Sequence, residues 1–378
     1  MIGVQDQARV AATPTSLPAA LVALAAHRPD AVALREKHLG LWREYTRQEY
    51  LDHTMALARG LAELGVEVGD RVAIVSDSRA EWFFADLAIQ GLGAQTVGID
   101  PGASVDTVQE RLSSTACSVV LVEDEEQYDK VMAGRVALPG LRTIVVIDDR
   151  GIPDTDDPAV MRLAQLLARD DQRPFEWPRP VKDAATTVAA MVEVGSGPSS
   201  AVRVMHQGDL AALAEAARPT LETLGPNDNV LAHLPLAHVA ERTVSLVGAL
   251  RWGYIVNIAT EPDLLLPELR EVQPTVLVTT AAVWHFLGGA FQARLSGASR
   301  FKRWLGKRCL ERGHLLGPIG TVLWYRPARR QMGLAHIRHS VCVGPAPDSE
   351  VAALFEALGL PIVTTDFVGA DSAIGGHP

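Results

Sequence analysis

The fold class is decided by the stretch RVAIVSDSRAEWFFADLAIQGL at residues 71–92. Its first five residues form a short apolar, β-branched run, which is typical of a buried strand. A helical pattern follows from about Arg79 to Leu92, and another strand pattern comes directly after it at Ala94–Ile99. A strand, a helix and a strand in this order predict parallel pairing through a right-handed crossover. The stretch therefore predicts a layered α/β sheet.

The same alternation continues on both sides of this stretch. Upstream, Thr46-Arg47-Gln48-Glu49 has the pattern of a capping box and predicts a helix of about five turns. Downstream, strand and helix patterns alternate as far as residue 279. The predicted strands are Ser118–Val122, Thr143–Ile147, Thr187–Val194, Asn229–Leu234, Ile255–Ala259 and Thr275–Thr279, and the helices between them are Val105–Leu112, Asp209–Leu224, Val239–Leu250 and Leu264–Val272.

This alternation predicts two successive layered α/β sub-domains. The segment 148–184 is rich in Asp, Pro and Arg, which is typical of a connection, although Ala159–Leu167 could form a helix inside it. We therefore predict a first sub-domain over residues 1–184, which includes this connection, and a second over residues 185–378.

The composition is that of a globular protein and excludes several function classes. Hydrophobic residues make up 48% and charged residues 21% of the 378 residues, values that disordered and coiled-coil chains do not have. The net charge of −10 argues against nucleic-acid binding. Cys117, Cys309 and Cys342 lack metal-ligand spacing, so no metal site is predicted. Because no spanning segment and no secretory leader pattern is found, we expect a cytoplasmic location.

Two segments at predicted strand ends carry the candidate ligand-binding residues. The loop Gly195–Ser200 follows a strand and precedes a helical region, so its backbone amides could hold an anion; a plain turn is the alternative. The segment Leu234–Arg242 leads from a strand into a helix, where ligands bind in open α/β sheets. His238 could face a ligand there while Glu241 and Arg242 pair with each other. A capping or core histidine is the alternative for His238.

A basic segment from Arg294 to Cys342 carries eleven Lys and Arg residues and one acid, Glu311. Within residues 301–312, the apolar side chains share one helical face and the basic ones cover the others. Two interpretations stay open: a surface helix that packs on the core, and a peripheral contact with anionic lipid or a phosphate-bearing ligand.

Short blocks along most of the chain carry a family resemblance. They are residues 33–37, 64–66, 69–74, 79–82, 234–242, 272–275 and 358–361, of which LPLAHVAER at 234–242 is the most specific. The sequence resembles the large N-terminal domain of the adenylate-forming superfamily, specifically that of bacterial long-chain fatty-acid CoA ligases. The resemblance implies two α/β sub-domains without the family's small C-terminal domain. It also implies ATP and magnesium as cofactors, and an activity that adenylates a carboxylic acid and transfers the acyl group to CoA.

The nucleotide motifs of that family are altered in this sequence. The phosphate loop falls on Met191–Ala201, where Gly197 alone keeps its place: Gly195 and Ser196 replace two threonines, Ser200 replaces the lysine and Glu193 replaces a serine. The second motif falls on Asp366–Ala370 and lacks its threonine and its magnesium-binding glutamate, although a shift of one residue would bring Asp371 to that place.

These observations lead to one functional hypothesis and two alternatives. We expect a homologue of long-chain acyl-CoA synthetases that does not adenylate, or does so weakly, and that binds an acyl or acyl-thioester molecule such as acyl-CoA, or a protein partner. The predicted pocket lies around His238 and is lined by Gly195, Ser196, Gly197, Ser200, Gly344, Pro345, Ala346 and Asp366. One alternative is a weak ligase that another protein subunit completes. The other is a pocket that acts on an activated acyl group with His238 as general base.

Overall fold

The computed structural model describes residues 16–153, 155–168, 175–180, 188–194, 201–221, 223–297, 299–300, 304 and 325–365. The chain divides into two compact units, one formed by Met1–Glu215 with Pro235–Gly253 and the other by Ala216–Leu234 with Tyr254–Pro378. This division differs from a boundary at residue 185, because the strands at 188–194 and 201–206 pair within the sheet of the first unit.

The first unit contains a seven-stranded sheet, an antiparallel hairpin and most of the described helices. Its strands are β1 (Val32–His38), β2 (Leu41–Thr46), β3 (Arg71–Val75), β4 (Gln95–Ile99), β5 (Val119–Val122), β6 (Thr143–Val146), β7 (Val160–Arg162), β8 (Val188–Val194) and β9 (Ala201–His206). Its helices are α1 (Leu17–His27), α2 (Arg47–Glu63), α3 (Ala80–Gly91), α4 (Val105–Ser114), α5 (Glu125–Ala133), α6 (Leu163–Leu167), α7 (Gln207–Leu221, whose residues from 216 belong to the second unit), α8 (Val239–Glu241) and α9 (Ala249–Trp252). A π-helical segment, Arg242–Gly248, joins α8 to α9, and a 3₁₀ turn covers Arg135–Ala137.

The strand order of the first sheet is β7-β6-β5-β3-β4-β8-β9. All neighbours pair in parallel except β8 and β9. The chain passes from β3 to β4 on one side and then to β5 on the other, so the order reverses between β3 and β5. Strand β5 is buried throughout, because a parallel sheet is covered on both faces. Helix α3 is buried along almost its whole length.

The second unit has five parallel strands in the order β14-β13-β12-β10-β11. They are β10 (Asn229–Ala232), β11 (Ile255–Ile258), β12 (Val276–Thr280), β13 (His339–Val343) and β14 (Ile362–Thr365). The helices are α10 (Leu265–Val272), α11 (Ala281–Ser296), α12 (Arg326–Met332) and α13 (Ser349–Ala357), with a 3₁₀ turn at Pro262–Leu264. Trp284 and Phe355 meet edge to face at 4.8 Å in its core. The strand order reverses here between β10 and β12.

These elements confirm the predicted α/β class and several of its details. The capping box is formed, because Thr46 Oγ1 accepts from the Glu49 amide at 3.1 Å and Glu49 Oε2 accepts from the Thr46 amide at 2.7 Å. The helix that it starts is α2, of 17 residues. No helix in the described part of the chain is long and apolar enough to cross a membrane.

Other local predictions need correction. The predicted helix Ala159–Leu167 is instead strand β7 followed by the short helix α6. Strand β9 follows the loop Gly195–Ser200, so the next element after the loop is an antiparallel strand and not a helix. A helix N-terminus therefore does not support anion binding by this loop. The hairpin of β1 and β2 was not predicted, because its turn begins with Leu39 at φ +49°, a residue that gives no turn signal.

Candidate functional site

His238 caps the helix that follows the block at 234–242. Its backbone is extended, with φ −84° and ψ 134°, and its ring Nδ1 accepts a hydrogen bond from the Ala240 amide at 3.2 Å. The side chain is half-buried. Because Nδ1 accepts, the ring is neutral and carries its proton on Nε2. The capping alternative for His238 is therefore confirmed, and Nε2 is a hydrogen-bond donor.

Arg242, one turn later, is anchored inside the first unit. Its Nη2 forms a hydrogen-bonded ion pair with Asp86 Oδ1 of α3, and both side chains are 0% exposed. The guanidinium carbon lies 5.1 Å from the centre of the Trp82 ring. Burial lowers the pKa of Arg242, and the neighbouring Asp86 carboxylate opposes that shift.

The predicted pairing between Glu241 and Arg242 is wrong. Arg242 pairs with Asp86, and Glu241 accepts a hydrogen bond from the Ser245 hydroxyl one turn further along. Adjacent residues on a helix point in different directions, whereas residues four apart share a face. The same rule accounts for the Thr243 hydroxyl, which donates to the Val239 carbonyl at 2.7 Å.

Asp86 also starts a chain of buried amides. Its Oδ2 accepts from Gln90 Nε2 at 3.0 Å, and Gln90 Oε1 accepts from Gln207 Nε2 at 3.2 Å. The bond from Gln90 satisfies the second oxygen of the Asp86 carboxylate, as a buried charge requires. The network ties α7 and the segment after His238 to α3, all within the first unit.

Three of the blocks that carry the family resemblance meet on α3. Glu36 of the block 33–37 accepts from the Ala80 amide at 3.0 Å and so caps the first turn of α3. From the block 234–242, Arg242 pairs with Asp86 of α3 and lies over the Trp82 ring of the block 79–82. Residues of all three blocks therefore contact this helix or form its first turn.

A second histidine lies at the carboxyl edge of the sheet of the second unit. His233 Nδ1 is 3.0 Å from the Leu231 carbonyl, and Nε2 is 2.8 Å from Thr279 Oγ1. A carbonyl can only accept, so Nδ1 donates to it, and Nε2 lies within hydrogen-bond distance of the Thr279 hydroxyl. The pair bridges β10 and β12, where the strand order reverses, which is the usual ligand position in open α/β sheets. The sequence analysis did not single out His233; its position near the end of the predicted strand Asn229–Leu234 was the signal that could have identified it.

A third histidine joins two helices at the same edge of the second unit. His285 Nδ1 lies 2.6 Å from the Ala281 carbonyl and Nε2 lies 2.7 Å from Asp348 Oδ2. Both neighbours are acceptors, so only the protonated ring satisfies both contacts. The Ala281 carbonyl and the Asp348 carboxylate raise the pKa of His285. Asp348 also caps α13 through the Val351 amide, and this bond together with His285 lowers the pKa of Asp348.

The predicted pocket residues fall into three groups. His238 belongs to the first unit, whereas Gly344, Pro345 and Ala346 follow β13 in the second unit, so their sharing of one pocket stays a prediction. Gly344 has φ +80°, and its amide donates to the Thr365 carbonyl at 3.2 Å. The others, Gly195, Ser196, Gly197, Ser200 and Asp366, lie outside the described residues.

The predicted membrane contact through 301–312 also lies outside the described residues, except for Trp304, whose exposed fraction is 57%. The resemblance implies magnesium with ATP. In the part of the chain that the structure describes, no group of three His, Cys, Asp or Glu residues could hold a metal ion.

Comparison with known proteins tests the resemblance. Residues 21–365 match the family described as AMP-binding enzyme. The chain is 31% identical over 261 residues to the long-chain-fatty-acid–CoA ligase FadD15 of Mycobacterium bovis, covering 68% of this chain and 42% of that protein. It is 24% identical over 390 residues to the long-chain-fatty-acid–CoA ligase ACSBG2 of Xenopus laevis, covering 92% of this chain and 50% of that protein. The chain thus spans about half the length, or less, of these curated relatives.

Solved structures show the same fold. The A-PCP didomain of the carboxylic acid reductase from Segniliparus rugosus, in complex with AMP, superposes with a TM-score of 0.75 at 18% identity, covering 94% of this chain and 52% of that one. A putative long-chain-fatty-acid CoA ligase from Rhodopseudomonas palustris superposes with a TM-score of 0.66 at 22% identity, covering 91% of this chain and 72% of that one. The sequence match over nearly the whole chain and the shared fold confirm the resemblance, and the chain belongs to the AMP-binding enzyme family.

Proposed function

We propose that this chain binds an acyl group or an acyl thioester and adenylates carboxylic acids weakly or not at all. The observation that carries the proposal is the loop Met191–Ala201 in a chain that otherwise matches the family over residues 21–365. Gly195, Ser196 and Ser200 replace the threonines and the lysine, and Glu193 adds a carboxylate.

Phosphoryl chemistry depends on positioned donors and positive charge, because the protein mainly stabilises charge on the phosphate oxygens. Losing one such donor lowers a rate by about 10²- to 10³-fold. A carboxylate about 4 Å from a phosphate charge adds roughly 1–4 kcal/mol of repulsion, depending on the solvent screening. Both changes should weaken ATP binding and slow adenylation, and neither should alter the recognition of an acyl group.

The geometry of His238 bears on its role in catalysis. Since the Ala240 amide donates to Nδ1, the ring carries its proton on Nε2, which then has no lone pair to accept another proton. The same geometry disfavours the alternative in which His238 is a general base, because Nε2 already carries a proton.

Calorimetric titration with ATP·Mg²⁺ and, separately, with a long-chain acyl-CoA tests the proposal. We expect saturable heat with acyl-CoA and none with ATP·Mg²⁺. The variant Glu193→Ser/Ser200→Lys restores the family's residues at two loop positions and should gain ATP binding. The matched control Glu110→Ser/Ser113→Lys makes the same charge change at exposed positions of α4 and should not. Tight ATP binding by the unchanged chain, or no acyl-CoA binding, would overturn the proposal.

The partner-completed ligase makes a different prediction. It requires pyrophosphate release from ATP and a fatty acid when the chain is mixed with a complementing subunit, and none from the chain alone. Pyrophosphate release of that kind would replace the proposal with this alternative.

A further inference from the structure

The end of the hairpin of β1 and β2 carries two leucines that are exposed to solvent. His38 lies opposite Leu41 in the strand register, so the turn consists of Leu39 and Gly40. Leu39 is 88% exposed and Leu41 is 77% exposed. Single exposed apolar side chains are common on protein surfaces, whereas two neighbouring leucines at the end of one turn form a small apolar patch. We call residues 38–41 the hairpin tip.

The base of the hairpin is fixed on the first unit. Leu34 and Tyr45 are buried, and the Tyr45 ring meets the Phe84 ring of α3 edge to face at 5.4 Å. At about 3.3 Å per residue, the strand carries the chain roughly 17 Å from Leu34 to Leu39. The hairpin tip therefore lies at the outer end of a strand pair whose inner end is packed.

Basic side chains and a tryptophan lie next to the hairpin tip. Lys37 is opposite Trp42 in the register, and its Nζ lies 5.3 Å from the centre of the Trp42 ring. Arg43, the next residue, is exposed. Tryptophan is enriched where a membrane meets water, and lysine and arginine bind the anionic headgroups there. Leucines in front of such residues are typical of segments that enter a membrane surface.

The local charge of the hairpin is opposite to that of the whole chain. Residues 32–46 contain three Lys and Arg residues and two acids, a charge of +1, whereas the chain carries −10. Both acids lie away from the tip: Glu44 pairs with Arg35 at 2.8 Å, and Glu36 accepts from the Ala80 amide at the base. Because a negative surface attracts only the positive parts of an acidic protein, this charge favours an approach through the hairpin.

We propose that the hairpin tip inserts into the surface of an anionic lipid membrane. Leu39 and Leu41 enter the boundary between headgroups and acyl chains, and Lys37 and Arg43 bind the lipid phosphates. A stable protein interface buries about 800 Å² on each partner, which two leucines on a turn do not offer, whereas a membrane accepts a narrow apolar projection. The proposal does not depend on the proposed binding of an acyl group.

Co-sedimentation of the full chain with lipid vesicles, in the absence of acyl-CoA, tests the proposal. We expect the chain to bind vesicles made of equal parts phosphatidylcholine and phosphatidylglycerol more tightly than vesicles of phosphatidylcholine alone. The variant Leu39→Asn/Leu41→Thr should lower the affinity at least about tenfold, the factor that burial of one leucine contributes. Asn tolerates the φ of +49° at position 39, and Asn-Gly is a favoured hairpin turn, so this variant keeps the hairpin folded.

Two further variants separate the hairpin tip from general effects of polarity and charge. Val68→Asn/Val136→Thr makes a similar exchange at valines of the same unit that are 66% and 100% exposed, and should leave binding unchanged. Lys37→Gln/Arg43→Gln should lower the affinity for the mixed vesicles roughly fivefold for each cation removed. Brominated lipid should quench part of the tryptophan fluorescence of the bound chain, and Trp42→Phe should remove that part.

Absence of binding to the mixed vesicles, or equal binding by the leucine variant and the unchanged chain, would overturn the proposal. An equal loss in the valine variant would do the same. Sedimentation velocity tests whether a second copy of the chain covers the tip instead: self-association that the leucine variant abolishes would also overturn it. Calorimetric titration of the leucine variant with acyl-CoA should match that of the unchanged chain, so the membrane contact and the proposed function can fail separately.

Discussion

Charged residues in this chain contribute differently to the stability of the fold because they differ in burial. Arg242 and Asp86 are fully enclosed, whereas the pair of Arg251 and Glu215 has side chains that are 25% and 51% exposed. A buried charge that loses its partner has no water to replace it. The two arginines lie on one continuous helical stretch, so their pairs provide a comparison in which burial is the main difference.

We predict that Arg242→Ala or Asp86→Ala lowers the free energy of unfolding by about 3–5 kcal/mol, because each leaves an uncompensated buried charge. Arg251→Ala should change it by less than about 1 kcal/mol, as is usual for exposed pairs. Urea denaturation followed by circular dichroism measures both. Equal losses at Arg242 and Arg251 would contradict the role assigned to burial.

The pair of His285 and Asp348 should make stability depend on pH. The pKa of His285 is raised from 6.5, so its contribution is complete below pH 6.5 and is lost as the pH rises through the folded-state pKa. The pKa of Asp348 is lowered from 3.8, so its contribution is present above pH 3.8 and is lost as the pH falls through the folded-state pKa. The pair therefore stabilises most between those two values.

The measurement is the difference in melting temperature between the unchanged chain and His285→Gln at several pH values. This difference should be largest near pH 5 and should shrink above pH 6.5. His336→Gln, at an exposed histidine of the same unit, serves as the control. A difference that is independent of pH between 5 and 8 would show that the charge of His285 does not matter.

At the scale of elements, two glycines with positive φ, one at a helix end and one in a hairpin turn, differ in the space around them. Gly333 ends α12 in the left-handed conformation at φ +76°, and a Cβ there would stand 2.3 Å from the Leu269 carbonyl group. Gly40 in the hairpin turn has a similar φ of +81°, yet a Cβ there would meet nothing within 4 Å. The two positions share the backbone conformation and differ in the space around it.

We predict that Gly40→Ala costs about 1–2 kcal/mol, the usual penalty of a left-handed L-residue. Gly333→Ala should cost clearly more, because the main chain of α10 must also move. Thermal unfolding of both variants measures the difference. If the two substitutions cost the same, the close approach to Leu269 does not constrain α12.

At the scale of the whole molecule, a ligand that binds only the folded state raises its stability. At a ligand concentration of about 100 times Kd, the gain is roughly 2.7 kcal/mol. We therefore expect long-chain acyl-CoA to raise the melting temperature by several degrees and ATP·Mg²⁺ to leave it unchanged. A rise with ATP·Mg²⁺ would contradict the proposed loss of nucleotide binding.

The fold class could be predicted because it depends on local periodicity. Strand β3, helix α3 and strand β4 lie within two residues of their predicted limits, since side-chain period and turn residues are properties of neighbouring positions. The N-cap Thr46 is recognisable for the same reason. Strands β13 and β14 were not among the predicted elements, although they complete the second sheet.

The candidate site was less predictable, because its contacts join distant parts of the chain. The sequence placed His238 at a helix start but did not predict that Asp86 holds Arg242, or that Thr279 meets His233. Partners of this kind depend on which strands become neighbours after the crossovers, and no local pattern encodes that.

The sequence by itself determined the α/β class, the family and the altered loop at Met191–Ala201, because each of these is a property of residues that are close together along the chain. Only the tertiary structure decided that Pro235–Gly253 belongs to the first unit and that Arg242 is anchored on α3. Burial is the physical reason. A charged side chain enclosed by the fold must meet its counter-charge there, and which residue supplies that charge is set by packing across 156 positions of sequence.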